Sequence, residues 1–158
     1  MTDRRTRPAG EPFRIRGDGR VVTVQKVFTP AGERLELTAD PGGHSVRPDA
    51  IALEAVAWQD PEEMRRRAAA LEPATGSPDE SGGPGREEPI TVSNEFAQAA
   101  VERTDDGDGP GLTVSAPKLG YSIRLDAREL AWLTRQDHET FTEWMETPFG
   151  PAGEEHEH

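Results

Sequence analysis

The chain has no cysteine. That excludes disulfides, a thiolate zinc site and a cysteine nucleophile. Lysine is almost missing as well. Lys26 and Lys118 stand alone among the 18 basic side chains, and arginine supplies the others. No run of about 18 apolar residues occurs, so no membrane span is expected. Met1 to Pro12 is charged and holds no apolar h-region, so no secretory signal is expected and a cytoplasmic location is.

Acid is abundant. Asp and Glu number 30 in 158 residues and leave a net charge of −12. A carboxylate-rich, lysine-poor surface stays hydrated at high salt, where screening weakens its self-repulsion. The composition points to a halophilic cytoplasm. A GC-rich genome would also favour Arg, Gly, Pro and Ala. The charge is uneven along the chain. Residues 1–73 carry twelve basic and twelve acidic side chains, whereas residues 74–158 carry six and eighteen, so the second half holds the whole excess. Duplicated units that differ so much in charge rarely keep one partner surface.

The chain is also written twice. Residues 13–65 align with 90–142 without a gap at a constant offset of 77, that between Arg47 and Arg124. Ser45 meets Ser122, Asp49-Ala50 meets Asp126-Ala127, Leu53 meets Leu130, and Gln59-Asp60 meets Gln136-Asp137. A duplicated unit fixes the architecture before other reasoning. Units of roughly 60 residues bury little surface alone, so the copies are expected to pack on each other and share a core.

Each copy reads as strands followed by helix. Phe13 to Ile15, Val22 to Phe28, Arg34 to Thr38 and His44 to Arg47 alternate as half-buried strands. Thr29-Pro-Ala-Gly32 and Asp40-Pro-Gly-Gly43 are turn clusters. Asp49 can cap a helix, and Asp60-Pro61 is a stronger helix start. In the second copy Ile90 to Val92, Phe96 to Val101, Leu112 to Ser115 and Tyr121 to Leu125 are strand candidates. Thr104 to Gly111 reads as a loop. Asp126 with Glu129 is a capping box, and Asp137 starts a last helix carrying Phe141, Trp144 and Met145 on one stripe. The expected fold is therefore α+β: two tandem β-β-β-β-α repeats packed as a pseudo-dimer, each ending in one broken helix. The expected boundaries are a disordered arm at 1–12, a first repeat at 13–73, a disordered linker at 74–89, a second repeat at 90–151 and a disordered tail at 152–158.

Chemistry is sparse. Gly107, Gly109 and Gly111 follow no convincing strand and open no helix, and Asp105, Asp106 and Asp108 would repel a phosphate, so no pyrophosphate-binding turn is present. Counted from Asp105 as a calcium loop, position twelve is Ala116 rather than glutamate. His44 and His138 occupy non-equivalent positions. His156 and His158 lie in a terminal run that cannot pre-organise ligands. No nucleophile–base–orienter set occurs, and neither a cofactor nor a metal is expected. Ser45 with Arg47, and Ser122 with Arg124, share one face of the last strand of each copy. Such a pair can hold an anion, or the arginine can pair with a carboxylate such as Asp60 or Asp137. Capping explains the duplicated aspartates. It does not explain the glutamines, which makes Gln136 a candidate. An aromatic left outside the core would mark a partner surface.

Ile90-Thr-Val-Ser-Asn-Glu-Phe96, Ser115-Ala-Pro-Lys-Leu-Gly-Tyr-Ser-Ile-Arg-Leu-Asp126, Gln136-Asp-His-Glu-Thr-Phe141 and Glu146-Thr-Pro-Phe-Gly-Pro151 resemble a small family of halophilic archaea often labelled "dihydrodiol dehydrogenase". The resemblance covers residues 90–151, with a degenerate copy at 13–65, and implies an oxidoreductase. In outline the repeated unit is also similar to PUR-repeat and Whirly-type single-strand nucleic-acid binders, a likeness of topology that transfers no residue.

The reading favoured by the residues is a non-enzymatic binding module for single-stranded nucleic acid or a protein partner, with oxidoreductase as the alternative. The candidate binding residues are Arg14, Arg16, Arg20, Lys26 and Arg34 on a sheet face of the first copy, with Arg47, Arg124 and Gln136.

Overall fold

The computed structural model describes residues 6–17, 19–40, 42–71, 89–106 and 109–146. The expected linker, apart from Pro89, and the expected tail lie outside the described residues. The protein is α+β, and its described residues form two antiparallel sheets and four helices. The first sheet comprises β1 (Arg7–Pro8), β2 (Phe13–Gly17), β3 (Arg20–Thr29), β4 (Gly32–Asp40) and β5 (His44–Val46). Helices α1 (Ala50–Ala57) and α2 (Pro61–Ala68) follow. The second sheet comprises β6 (Ile90–Ser93), β7 (Gln98–Asp106), β8 (Gly109–Ala116) and β9 (Tyr121–Leu125), and is followed by α3 (Ala127–Thr134) and α4 (His138–Glu146).

Alternation decides which sheet face is buried. Phe13, Ile15, Val22, Val24, Leu35 and Leu37 are buried, and the residues between them are partly exposed. Ile90, Val92, Val101, Leu112, Val114, Ile123 and Leu125 do the same in the second sheet. A side-chain period of two leaves each sheet with one apolar face and one polar face.

The helices cover those apolar faces crosswise. α1 packs on β7, β8 and β9 of the second sheet, and α3 packs on β2 to β5 of the first. α1 also meets α4, and α2 meets α3. The sheets and helices thus enclose one continuous apolar core drawn from both halves of the chain. Each fully buried Leu, such as Leu53 or Leu130, contributes about 1.5–3 kcal/mol, so neither half could expose its helix face without a large loss.

Local signals account for the ends of the elements. The Asp49 side chain accepts from the Ala52 amide at 2.9 Å, and that of Asp60 from the Glu62 amide at 3.0 Å. Asp126 and Glu129 form a reciprocal capping box. Asp137 accepts from the Thr140 amide at 3.2 Å. What reads in the sequence as one broken helix per copy is two short helices, each with its own cap. Gly42 and Gly43 take φ of 110° and 71° in the turn before β5, where a side chain would be strained.

Three details differ from the sequence reading. Arg7–Pro8, inside the expected arm, pairs with Phe28 and Val27 of β3. The expected loop from Thr104 to Gly111 is largely strand, because β7 and β8 stay in register out to Asp106 opposite Gly109. The expected strand at Phe96 begins at Gln98 instead, since the Asn94 side chain accepts from the Phe96 and Ala97 amides and holds a turn there. No helix among the described residues is long and apolar enough to cross a membrane.

Candidate functional site

Among the described residues the helices lie on the inner faces of the sheets, so no helix lies over the outer faces. On the first sheet, Arg14 and Arg16 stand two apart on β2, opposite Thr23 and Val21 of β3. Arg34 of β4 lies opposite Val27, and Thr38 lies between Thr23 and Ser45. Arg47 follows β5 and forms an ion pair with Glu36 at 2.8 Å. The outer face therefore carries four arginines and the carboxylates Glu36 and Asp40 among threonine, serine and glutamine side chains and the buried Val21 and Val27. The partner that the sequence suggested for Arg47, Asp60, is engaged as a helix cap instead.

Two of the candidate residues do not share this face. Arg20 is buried, with 3% of its surface exposed, and its register position belongs to the inner side. Lys26 lies opposite the buried Leu35, so it too is on the inner side. It pairs with Glu33 at 3.3 Å and sits 5.5 Å from the centroid of the Phe28 ring. The expectation of a single face holding all five basic residues grouped positions of both parities.

Arg124 lies on the outer face of the second sheet, opposite Thr113. Its Nε donates to Thr104 Oγ1 and its Nη2 to the Thr104 carbonyl, both at 3.3 Å. Around it stand Thr113, Ser115 and Ser122, so this face is hydroxyl-rich where the first is arginine-rich. Gln136 has a structural task. Its Nε2 donates to the Trp132 carbonyl at 3.0 Å, and Gln59 donates to the Ala55 carbonyl at 2.9 Å. Each bonds a carbonyl in the last turn of its helix, where main-chain donors run short; the Trp132 carbonyl also accepts from the Arg135 amide at 3.1 Å.

Sequence reasoning missed two features. Phe96 is the most exposed large apolar side chain among the described residues, at 75%, on the turn between β6 and β7. A cavity of about 360 Å³ lies between the β5–α1 connection and α4, bordered by Arg34, Val46, Arg47, Pro48, Asp49, Ala52, Phe141 and Met145. No periodicity announces it, because its walls come from both halves of the chain. Among the described residues, no group of three or more His, Asp or Glu side chains is placed to hold a metal ion.

The chain matches no protein-family model and no curated protein.

Proposed function

We propose that the protein is a non-enzymatic binding module whose ligand lies on the arginine-bearing outer face of the first sheet. Single-stranded nucleic acid is the first candidate, and an acidic protein partner is the second. The observation that carries this reading is Arg14, partly exposed on the outer face beside Arg16 and pairing with no carboxylate among the described residues. Guanidinium and hydroxyl groups on a flat sheet suit phosphate contacts that position a strand without reading its sequence. The even charge of residues 1–73, against the acidity of the remainder, favours the first sheet over the second.

The module is, in this reading, two tandem repeats packed as a pseudo-dimer. The offset of 77 that aligns the sequence also carries the register pairs Ile15–Val22 and Thr38–Ser45 onto Val92–Ala99 and Ser115–Ser122. Helices α1 and α3 have eight residues each and begin at equivalent positions. The crosswise cover of each sheet by the other copy's helix has the reciprocity of a twofold arrangement.

Fluorescence anisotropy of a labelled oligothymidylate tests the ligand. Binding should weaken as salt rises, and Arg14→Ala or Arg16→Ala should each lower the salt slope by about one. Unchanged binding by Arg14→Glu would remove the face from consideration. Saturable binding of a nicotinamide dinucleotide would favour the oxidoreductase instead.

A further inference from the structure

We propose that the groove between the β5–α1 connection and α4 binds a small amphipathic monocarboxylate. Arg34 holds the carboxylate, and the apolar body lies against Ala52, Phe141 and Met145. This groove adjoins the arginine-bearing sheet face and shares Arg34 and Arg47 with it, and the inference rests on the duplication proposed above.

The groove has a volume of about 360 Å³, within the range of small-molecule sites. Its polar groups are few and mostly engaged. The Asp49 carboxylate accepts from the Ala52 amide at 2.9 Å, and Arg47 is held by Glu36 at 2.8 Å. Arg34 donates to the Arg47 carbonyl at 3.4 Å and meets no carboxylate among the described residues. A cation thus stands at the mouth of a groove whose walls are otherwise largely apolar. A cation so placed recognises an anion more strongly than it would in open water.

The second copy suggests which anion. Under the offset of 77, Glu129 takes the place of Ala52 and Gly111 takes the place of Arg34. The Glu129 carboxylate is buried and accepts from the Asp126 amide at 2.9 Å. In the first copy Ala52 offers no such acceptor to the Asp49 amide, and the groove lies beside it. One copy therefore carries the carboxylate in its own chain, while the other carries the cation and the space. A ligand carboxylate would complete the first copy as Glu129 completes the second. A single acid group fits better than two, because Arg47 is already paired and Asp49 would repel a second anion.

Calorimetry and methyl NMR with octanoate test the site, with octanamide as the uncharged control. Octanoate should bind saturably and shift the Met145 and Ala52 methyl signals. Octanamide and Arg34→Gln should each bind about tenfold more weakly or worse. Ala52→Glu should abolish binding while melting no lower than the parent, because it builds the missing capping box. Equal binding of octanamide, intact binding by Ala52→Glu, or no saturable binding by the parent would each overturn the proposal. A fall in the melting point of Ala52→Glu would strike at the duplication itself, and Arg34→Gln would then decide the groove alone.

Discussion

Arg124 lies flat over Gly111: a Cβ built on that glycine would come within 2.6 Å of the arginine Cζ. Under the offset of 77 that aligns the two halves of the sequence, Arg34 falls at the position of Gly111 and Arg47 at that of Arg124, and Arg47 pairs with Glu36 instead. One exchange of residues thus gives the two outer faces different chemistry. Gly111→Ala should push Arg124 off Thr104 and be neutral or destabilising by up to about 1 kcal/mol. In an Arg124→Ala background the same change should stabilise by about 0.4–1 kcal/mol, because alanine narrows the unfolded ensemble. Denaturant midpoints for the four proteins of this cycle measure the coupling. Additive effects would mean that the arginine does not depend on the glycine.

Asp137 is expected to serve the fold. It accepts from the Thr140 amide at the start of α4, whose Phe141 and Trp144 are buried. Asp137→Ala should cost about 0.5–2 kcal/mol, and Asp137→Asn much less, since asparagine caps nearly as well. An alanine variant with unchanged urea midpoint would mean that the duplicated aspartate serves something other than the helix.

The fold was more legible than the site, and the reason is physical. Period-two alternation and side-chain caps are local, so β2 to β5, Asp49, Asp60 and Asp126 could be read from short windows. The crosswise packing of α1 and α3 is set by surfaces far apart in the chain, and no window holds it. Arg14 and Arg34 were candidates for their charge, but Arg20 and Lys26 fall on the other parity, which only a fixed register reveals. Gln136 looked functional because the sequence does not display the Trp132 carbonyl to which its side chain donates. The groove was invisible for the same reason as the packing: Ala52 and Met145 meet only in the folded chain.

Glu129 should give stability an acid-side signature. Burial raises its carboxyl above the ordinary value of 4.5, against the lowering effect of its bond from the Asp126 amide. A carboxyl raised on folding favours the native state while protonated. Its contribution is full below the unfolded value and is lost as pH rises through the folded one. Compared with Glu129→Gln, which can keep the capping box, the parent should lose relative stability as pH climbs from about 4 toward neutrality. Urea midpoints across that interval give the difference. A flat difference would contradict a buried, raised carboxyl.

Salt should stabilise the protein. Eighteen acids against six basic residues in residues 74–158 repel one another at low ionic strength. Thermal midpoints should rise between about 0.1 and 3 M KCl as screening shortens the reach of that repulsion. A midpoint that stays level or falls would contradict the halophile reading.

Two carboxylates of the first half close amides of the second. Glu54 of α1, nearly buried, accepts from the Gln98 amide at 3.2 Å, and Glu33 of β4 accepts from the Ser93 amide at 2.9 Å. Ser93 and Gln98 face each other across β6 and β7, so the two bonds grip one end of that hairpin. Their counterparts under the offset are Ala131 and Pro110, which can do neither, so the grip exists on one side only. Glu54→Ala leaves the partly buried Gln98 amide without its acceptor and should cost about 1–3 kcal/mol, whereas Glu54→Gln retains an acceptor oxygen and should cost less. The global cost alone would not separate a tie between halves from lost packing of α1. Hydrogen exchange does. In Glu54→Ala the Gln98 amide should lose protection before those of β8, because the hairpin end is freed locally while the core stays closed. If Gln98 exchanges as slowly as in the parent, Glu54 does not fasten α1 to the second sheet, and the halves are held by the apolar core and by bonds such as that from Ser93 to Glu33.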